Sequence, residues 1–227
     1  MHLRAFVSPL GGWKMVVSTA CMCIALVHPA HAQPNPNISK EQLQERLAQA
    51  KSDPELEQRL YALGKKVAAV CANCHADQNG SAVLEVPYLD SQNPAYLVEQ
   101  IRQFSQGARK NTFMEGILRA MSRDEMVGMV LFYEKEKLPA RTPKDAALHA
   151  RGKAYYEKVC INCHKADGHG DERLPRIAGQ HFGYVDLTLK RYRSGSSVRS
   201  DPNMAFVTKN MSDQDIRAVA IYLETMQ

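Results

Sequence analysis

Val70-Cys71-Ala72-Asn73-Cys74-His75 reads VCANCH, and 89 residues further on Val159-Cys160-Ile161-Asn162-Cys163-His164 reads VCINCH. Two cysteines three apart with a histidine directly after them form a demanding pattern, and this chain carries it twice with the same valine and asparagine. The repetition extends outward on both sides. Gly64 and Gly152 precede the hexapeptides and Pro87 and Pro175 follow them. Gln92 matches Gln180, Tyr96 matches Tyr184, Leu97 matches Val185, Ile101 matches Leu189, Phe104 matches Tyr192 and Gly107 matches Gly195, all 88 residues apart. Met114 then matches Met204, Met121 matches Met211 and Ser122 matches Ser212, 90 apart, so two inserted residues separate the registers. A repeat of this length is too long for a solenoid unit and suits a small domain duplicated in tandem.

The pattern inside each unit is helical. With Asn93 as N-cap and Pro94 at the first helical position, Leu97, Ile101 and Phe104 form one apolar stripe, and Tyr184, Val185, Leu189 and Tyr192 repeat it. Ser122 with Glu125 and Ser212 with Asp215 read as capping boxes opening the last helix of each half, with Met121 and Met211 placed as hydrophobic staples against Met126 and Ile216. No stretch alternates with period two long enough for a strand, so the expected fold class is all-α. Residues 61–138 form the first domain and 147–227 the second, joined by a linker at 139–146 that contains Pro139 and Pro143. Residues 33–60, rich in Glu, Gln and Lys, have no counterpart in the second half. Ser39 with Gln42, and Asp53 before Pro54, predict two short helices there, read as a solvated extension.

Residues 1–32 read as an export signal: basic Arg4 and Lys14, an apolar run from Met15 to Val27 and the small-residue site Ala30-His31-Ala32. That run falls short of the roughly 20 apolar residues a spanning helix needs. The expectation is a cleaved signal, a periplasmic location and no integral membrane segment in the mature chain. Cleavage removes Cys21 and Cys23, so every remaining cysteine lies in a hexapeptide. It also lowers the formal net charge from +5 to +3. The remaining basic residues are dispersed without the concentrated stripe a nucleic-acid interface needs, which excludes that class of partner.

The hexapeptide carries its own chemistry. On one turn of helix, thiols at i and i+3 can reach the two vinyl groups of a porphyrin while the histidine at i+4 stands beneath the iron, which is the attachment pattern of c-type haem. Zinc sites also pair cysteines, and thioredoxin-like dithiols use the same spacing after a strand, but neither accounts for the histidine in both copies. The expected cofactors are therefore two covalently attached haem c groups, tethered by Cys71 and Cys74, and by Cys160 and Cys163, with His75 and His164 as iron ligands. A soft thioether opposite histidine favours reduced iron, and Met114 and Met204 stand in matched positions, read as loops, ahead of the last helix.

Each half resembles a class I cytochrome c domain, and the tandem resembles the di-haem cytochrome c4 family from about residue 60 to 227. The resemblance rests on both Cys-x-x-Cys-His motifs, on Pro175-Arg176-Ile177-Ala178-Gly179-Gln180 and on Asp201-Pro202-Asn203-Met204. It implies two tandem domains, each wrapped around a haem, with Met114 and Met204 as second axial ligands and the carbonyls of Pro87 and Pro175 orienting the histidines. Asn111-Thr112-Phe113-Met114 departs from the Asp-Pro-x-Met pattern in the first half. His149, His169 and His181 lack counterparts in the other half and are read as surface or haem-edge residues. With both faces of each iron occupied, the expected role is an electron carrier between respiratory donors and an acceptor such as a terminal oxidase. The alternatives are a cytochrome subunit of a dehydrogenase complex and a di-haem peroxidase-type enzyme.

Overall fold

A computed structural model describes residues 38–75, 85–196, 198–199 and 201–227; the segment read as an export signal lies outside them. Among the described residues the secondary structure is entirely helical. The first half comprises α1 (Lys40–Ser52), α2 (Pro54–His75), α3 (Pro94–Ser105), α4 (Thr112–Ala120) and α5 (Arg123–Lys135). The second comprises α6 (Ala146–Tyr155), a π-helical turn (Tyr156–Cys160), α7 (Ile161–His164), α8 (Phe182–Arg193), α9 (Pro202–Thr208) and α10 (Asp213–Thr225). Both belong to one continuous body.

Local chemistry sets the helix starts. Ser39 with Gln42, Ser122 with Glu125 and Ser212 with Asp215 each close a reciprocal capping box. The Asp53 carboxylate accepts from the amides of Glu55 and Leu56 at the start of α2. Asn93 departs from expectation. It is the N-cap of α3, yet its side chain makes no cap bond; its amide instead donates to the carbonyls of His169, Asp171 and Leu174 in the second half, at 2.8 to 2.9 Å.

Each half builds its core where its first long helix crosses its last. In the first, α2 meets α5 at Gly64 and Gly128, so closely that a Cβ on Gly64 would lie 1.9 Å from the Gly128 carbonyl oxygen. In the second, α6 meets α10 at Gly152, where a Cβ would lie 2.0 Å from the Ala218 carbonyl oxygen. Around these crossings lie two apolar clusters, one with Leu60, Met126, Val130 and Leu131 and the other with Tyr156, Ile216, Val219 and Leu223.

The π-helical turn explains a detail of the repeat. Gly64 and Gly152 are 88 apart, the first cysteines of the motifs 89 and the prolines 88 again. The second half thus holds one extra residue between Gly152 and Cys160, absorbed as a π-turn whose closing bond runs from the Ile161 amide to the Tyr156 carbonyl. The first half has no such insertion, and α2 runs unbroken through the motif.

The extension read as solvated is instead part of the first core. Ile38, Leu43, Leu47 and Ala50 are buried, and α1 packs against α2, α3 and α5. Arg46 donates from Nε and Nη2 to both carboxylate oxygens of Asp124 at 2.8 Å, and Lys51 pairs with Glu134. Residue 60 also falls inside α2, so the extension continues without a break into the motif helix.

Two glutamines join the halves symmetrically. The Gln92 side chain accepts from the Arg176 amide (2.8 Å) and donates to the Arg176 carbonyl (2.9 Å). The Gln180 side chain accepts from the Tyr88 amide (2.8 Å) and donates to the Tyr88 carbonyl (3.0 Å). Gln92 and Gln180 are 88 apart, as are Tyr88 and Arg176, so the junction is an internal two-fold with each half supplying the same side chain.

Candidate functional site

Cys71, Cys74 and His75 occupy the last turn of α2, and Cys160, Cys163 and His164 occupy the corresponding stretch of π-turn and α7. Helical spacing puts the residue at i+3 and the one at i+4 on the face of the first. All four thiols are free. Burial pushes the Cys71 thiol up and the Cys160 thiol up to about 12, the opposite of the depressed value a redox-active dithiol requires. Among the described residues no three metal-ligating side chains converge on an ion-sized site.

The histidines share a second contact. His75 Nδ1 lies 2.8 Å from the Pro87 carbonyl oxygen, and His164 Nδ1 lies 3.4 Å from that of Pro175. Donation from Nδ1–H to a carbonyl fixes the tautomer and leaves the Nε2 lone pair available to a metal. Burial lowers both imidazoles, which favours the neutral, ligating form. Gly170 holds the second arrangement in place: it adopts φ +62°, and a Cβ there would come within 2.5 Å of the Leu174 and Pro175 carbonyl oxygens.

Met114 and Met204 lie in the first turns of α4 and α9, not in loops. Their amides donate to the cap side chains of Asn111 and Asp201, both at 3.0 Å. Asn111 therefore does the same capping work as Asp201 despite the departure from Asp-Pro-x-Met. Both methionines are half-buried, and beside them Phe113 and Phe206 are 68% and 80% exposed. His181 caps α8 through Nδ1, His149 packs against Tyr222 and His169 Nε2 lies 2.8 Å from Arg176.

The sequence offered no role for Arg109 and Arg199, and the structure brings them together at the junction. Arg109 donates to Gln100 (2.7 Å) and to the Tyr184 hydroxyl (3.1 Å). Arg199 donates to the Tyr184 hydroxyl (2.9 Å) and to that of Tyr96. The available signal was the repeat itself, since the two arginines are 90 apart, as the methionines are, and the two tyrosines are 88 apart.

Comparison with known proteins places the chain in a family. The cytochrome c family profile matches residues 149–227. A cytochrome c4 from Thiocapsa roseopersicina is 31% identical over 70% of this chain and 88% of its own length. The chain belongs to the cytochrome c4 family. A thiosulfate dehydrogenase electron acceptor from Stutzerimonas stutzeri is 32% identical over 73% of this chain and 83% of its own. The crystal structure of reduced cytochrome c4 from Pseudomonas stutzeri superposes with a TM-score of 0.63 at 25% identity, covering 72% of this chain and 97% of that one. The all-α fold is that of the cytochrome c4 structures, and the chain is an electron-transfer protein that carries haem c rather than an enzyme.

The residues present fit that cofactor. Free thiols stand at the attachment spacing, and neutral imidazoles have their Nδ1 already engaged. The buried Tyr133 hydroxyl, in electrostatic range of Cys71, has no hydrogen-bond partner among the described residues, which leaves it free for a group seated beside that thiol. No helix among the described residues is long and apolar enough to cross a membrane.

Proposed function

We propose that this cytochrome c4 is an exported, periplasmic carrier of two haem c groups that takes electrons from a respiratory donor or a dehydrogenase and delivers them to an acceptor such as a terminal oxidase. The observation that carries the reading is the matched pair of histidines, each at the end of its Cys-x-x-Cys turn and each with Nδ1 facing a proline carbonyl. When bound, haem supplies iron that accepts and releases one electron at a time. Cys71 with Cys74, and Cys160 with Cys163, would tether the two groups. His75 and His164, oriented by Pro87 and Pro175, would ligate the iron, together with Met114 and Met204. Rigid helix turns carry all four ligands, which keeps their geometry constant between oxidation states. The thiosulfate dehydrogenase electron acceptors among the relatives support a dehydrogenase as donor.

The test is mass and optical analysis of the protein from a periplasmic fraction. The expected result is a chain beginning at Gln33 with two haem adducts, a low-spin spectrum and the near-infrared band of methionine on ferric iron. A single adduct, or resting iron that readily takes up cyanide or peroxide, overturns the assignment. Mixing the reduced protein with a terminal oxidase, and the oxidised protein with a thiosulfate dehydrogenase, then tests the two partner classes.

A further inference from the structure

The peptide unit between Pro175 and Arg176 carries two polar groups, the Pro175 carbonyl and the Arg176 amide. The unit is trans, so planarity holds the two on opposite sides of one rigid frame. The carbonyl oxygen lies 3.4 Å from His164 Nδ1, and the amide donates to Gln92 Oε1 at 2.8 Å. The unit between Pro87 and Tyr88 repeats the arrangement. Its carbonyl oxygen lies 2.8 Å from His75 Nδ1, and its amide donates to Gln180 Oε1 at 2.8 Å. Each motif histidine therefore meets a glutamine of the other half through a single peptide group.

We propose that Gln92 and Gln180 are positioning residues that act across the junction, Gln92 on His164 and Gln180 on His75, so that each half tunes the redox centre of the other. The inference rests on the two-haem reading above. An acceptor on the amide side of a peptide unit polarises it and strengthens its carbonyl as an acceptor on the other side. A stronger acceptor for Nδ1–H makes the imidazole a more basic iron ligand. Hydrogen bonding around the ligands is one of the levers a protein has on haem potential, and a more basic imidazole favours ferric iron. Loss of either glutamine therefore raises the potential of the centre in the opposite half.

Both glutamines are buried and held at each end. Besides the distant amide, each Oε1 accepts from the next amide in its own chain, that of Asn93 at 3.0 Å and that of His181 at 2.9 Å. Each Nε2 donates to a carbonyl of the other half, Arg176 at 2.9 Å and Tyr88 at 3.0 Å. With both ends engaged the side-chain amide cannot turn over, and Oε1 stays on the peptide unit. The second half has a further hold. Asn93 donates to the Leu174 carbonyl at 2.8 Å, so the residues on both sides of Pro175 are gripped by consecutive side chains of the first half. The Gly170 amide donates to the His164 carbonyl at 3.2 Å, which ties the gripped loop to the motif. At position 181, which matches Asn93, a histidine ring instead meets the Tyr88 ring edge-on at 5.3 Å.

The experiment combines two measurements on the haem-loaded protein at constant neutral pH: potentiometric titration, and solvent exchange of the two motif-histidine Nδ1 protons followed by nuclear magnetic resonance in the reduced state. Gln92→Met keeps the length of the side chain and removes both polar ends. It is expected to raise the potential that Met204→Ala lowers and to speed exchange of the His164 Nδ1 proton roughly two- to fivefold, with the other potential and the His75 proton unchanged. Gln180→Met should do the converse, raising the potential that Met114→Ala lowers and speeding exchange at His75. Asn93→Ser leaves both glutamine contacts in place and supplies a favoured N-cap for α3, so it tests the grip without cutting the junction. It should move the same centre as Gln92→Met, in the same direction. Potentials and exchange rates equal to wild type, shifts confined to the substituted half, or shifts shared equally by both centres overturn the cross-connection and leave the two-haem reading standing. One haem adduct per wild-type chain overturns both.

Discussion

Alanine at Gly152 would place a methyl group 2.0 Å from the Ala218 carbonyl oxygen and 2.5 Å from its carbon. Both are backbone atoms, so no side chain can rotate away, and α6 and α10 must part by about 1 Å or more. A gap of that size forfeits about a quarter to a half of the dispersion energy across a contact. The seam holds Tyr156, Ile216, Val219 and Leu223, and large apolar side chains contribute about 1.5–3 kcal/mol each when buried. The expected loss is about 2–4 kcal/mol. Alanine's helix preference offsets about 1 kcal/mol of it, leaving a net loss of roughly 2 kcal/mol, within the usual range for overpacking. For a chain of this size that corresponds to a fall of about 4–8 °C in the unfolding midpoint. Thermal unfolding of the haem-loaded Gly152→Ala protein, followed by far-ultraviolet circular dichroism, makes the comparison. A midpoint equal to or above that of wild type would refute the account of the crossing.

Three further outcomes are expected. Arg46→Ala should destabilise the protein by about 1 kcal/mol at neutral pH, since the pair with Asp124 is partly solvent-screened. Arg46 holds Asp124 below the usual carboxylate range, so this contribution is present above about pH 4 and is lost as pH falls through the lowered value; urea unfolding should find wild type and variant converging in acid. Gln92→Ala should speed hydrogen exchange at the Arg176 amide roughly fivefold, and Gln180→Ala should do the same at Tyr88, each by removing a bond of about 1 kcal/mol; unchanged exchange would mean that the junction opens in solution. Met114→Ala and Met204→Ala should each abolish about half of the near-infrared methionine band and lower one of two potentials, and a band of full intensity in either variant would exclude that methionine as a ligand.

Features set by neighbours in the chain were legible in the sequence. The capping boxes at Ser39, Ser122 and Ser212 each need only residues three apart, and all three form as read. The buried stripe of Leu97 and Ile101 follows from helical period alone. Features set by distant partners were not. Asn93 has the residue type of a cap, but its amide serves carbonyls 76 to 81 positions away. Arg109 meets Tyr184 at a separation of 75, and Arg199 meets Tyr96 at 103, where no local pattern operates. In the extension, a high Glu, Gln and Lys content masks a narrower signal: Leu43, Leu47 and Ala50 fall at i, i+4 and i+7, one face of a helix. The helices that carry Met114 and Met204, 9 and 7 residues long, are too short to leave much periodicity in the sequence.

The glutamine exchange between halves has the form of a contact between two identical chains, in which any substitution would be felt at both places at once. Fusion into one polypeptide lifts that obligation. Val98 and Val127 are buried on helices against which α1 packs, while the matching positions of the second half are Asp186 and Arg217, both reached by solvent. A homodimer could not wear a helical cover on one copy and a charged surface on the other, nor deliver two guanidiniums to one tyrosine and one to its twin. Two unlike ends on a symmetric frame give the molecule a direction, which a carrier standing between an unlike donor and acceptor can use.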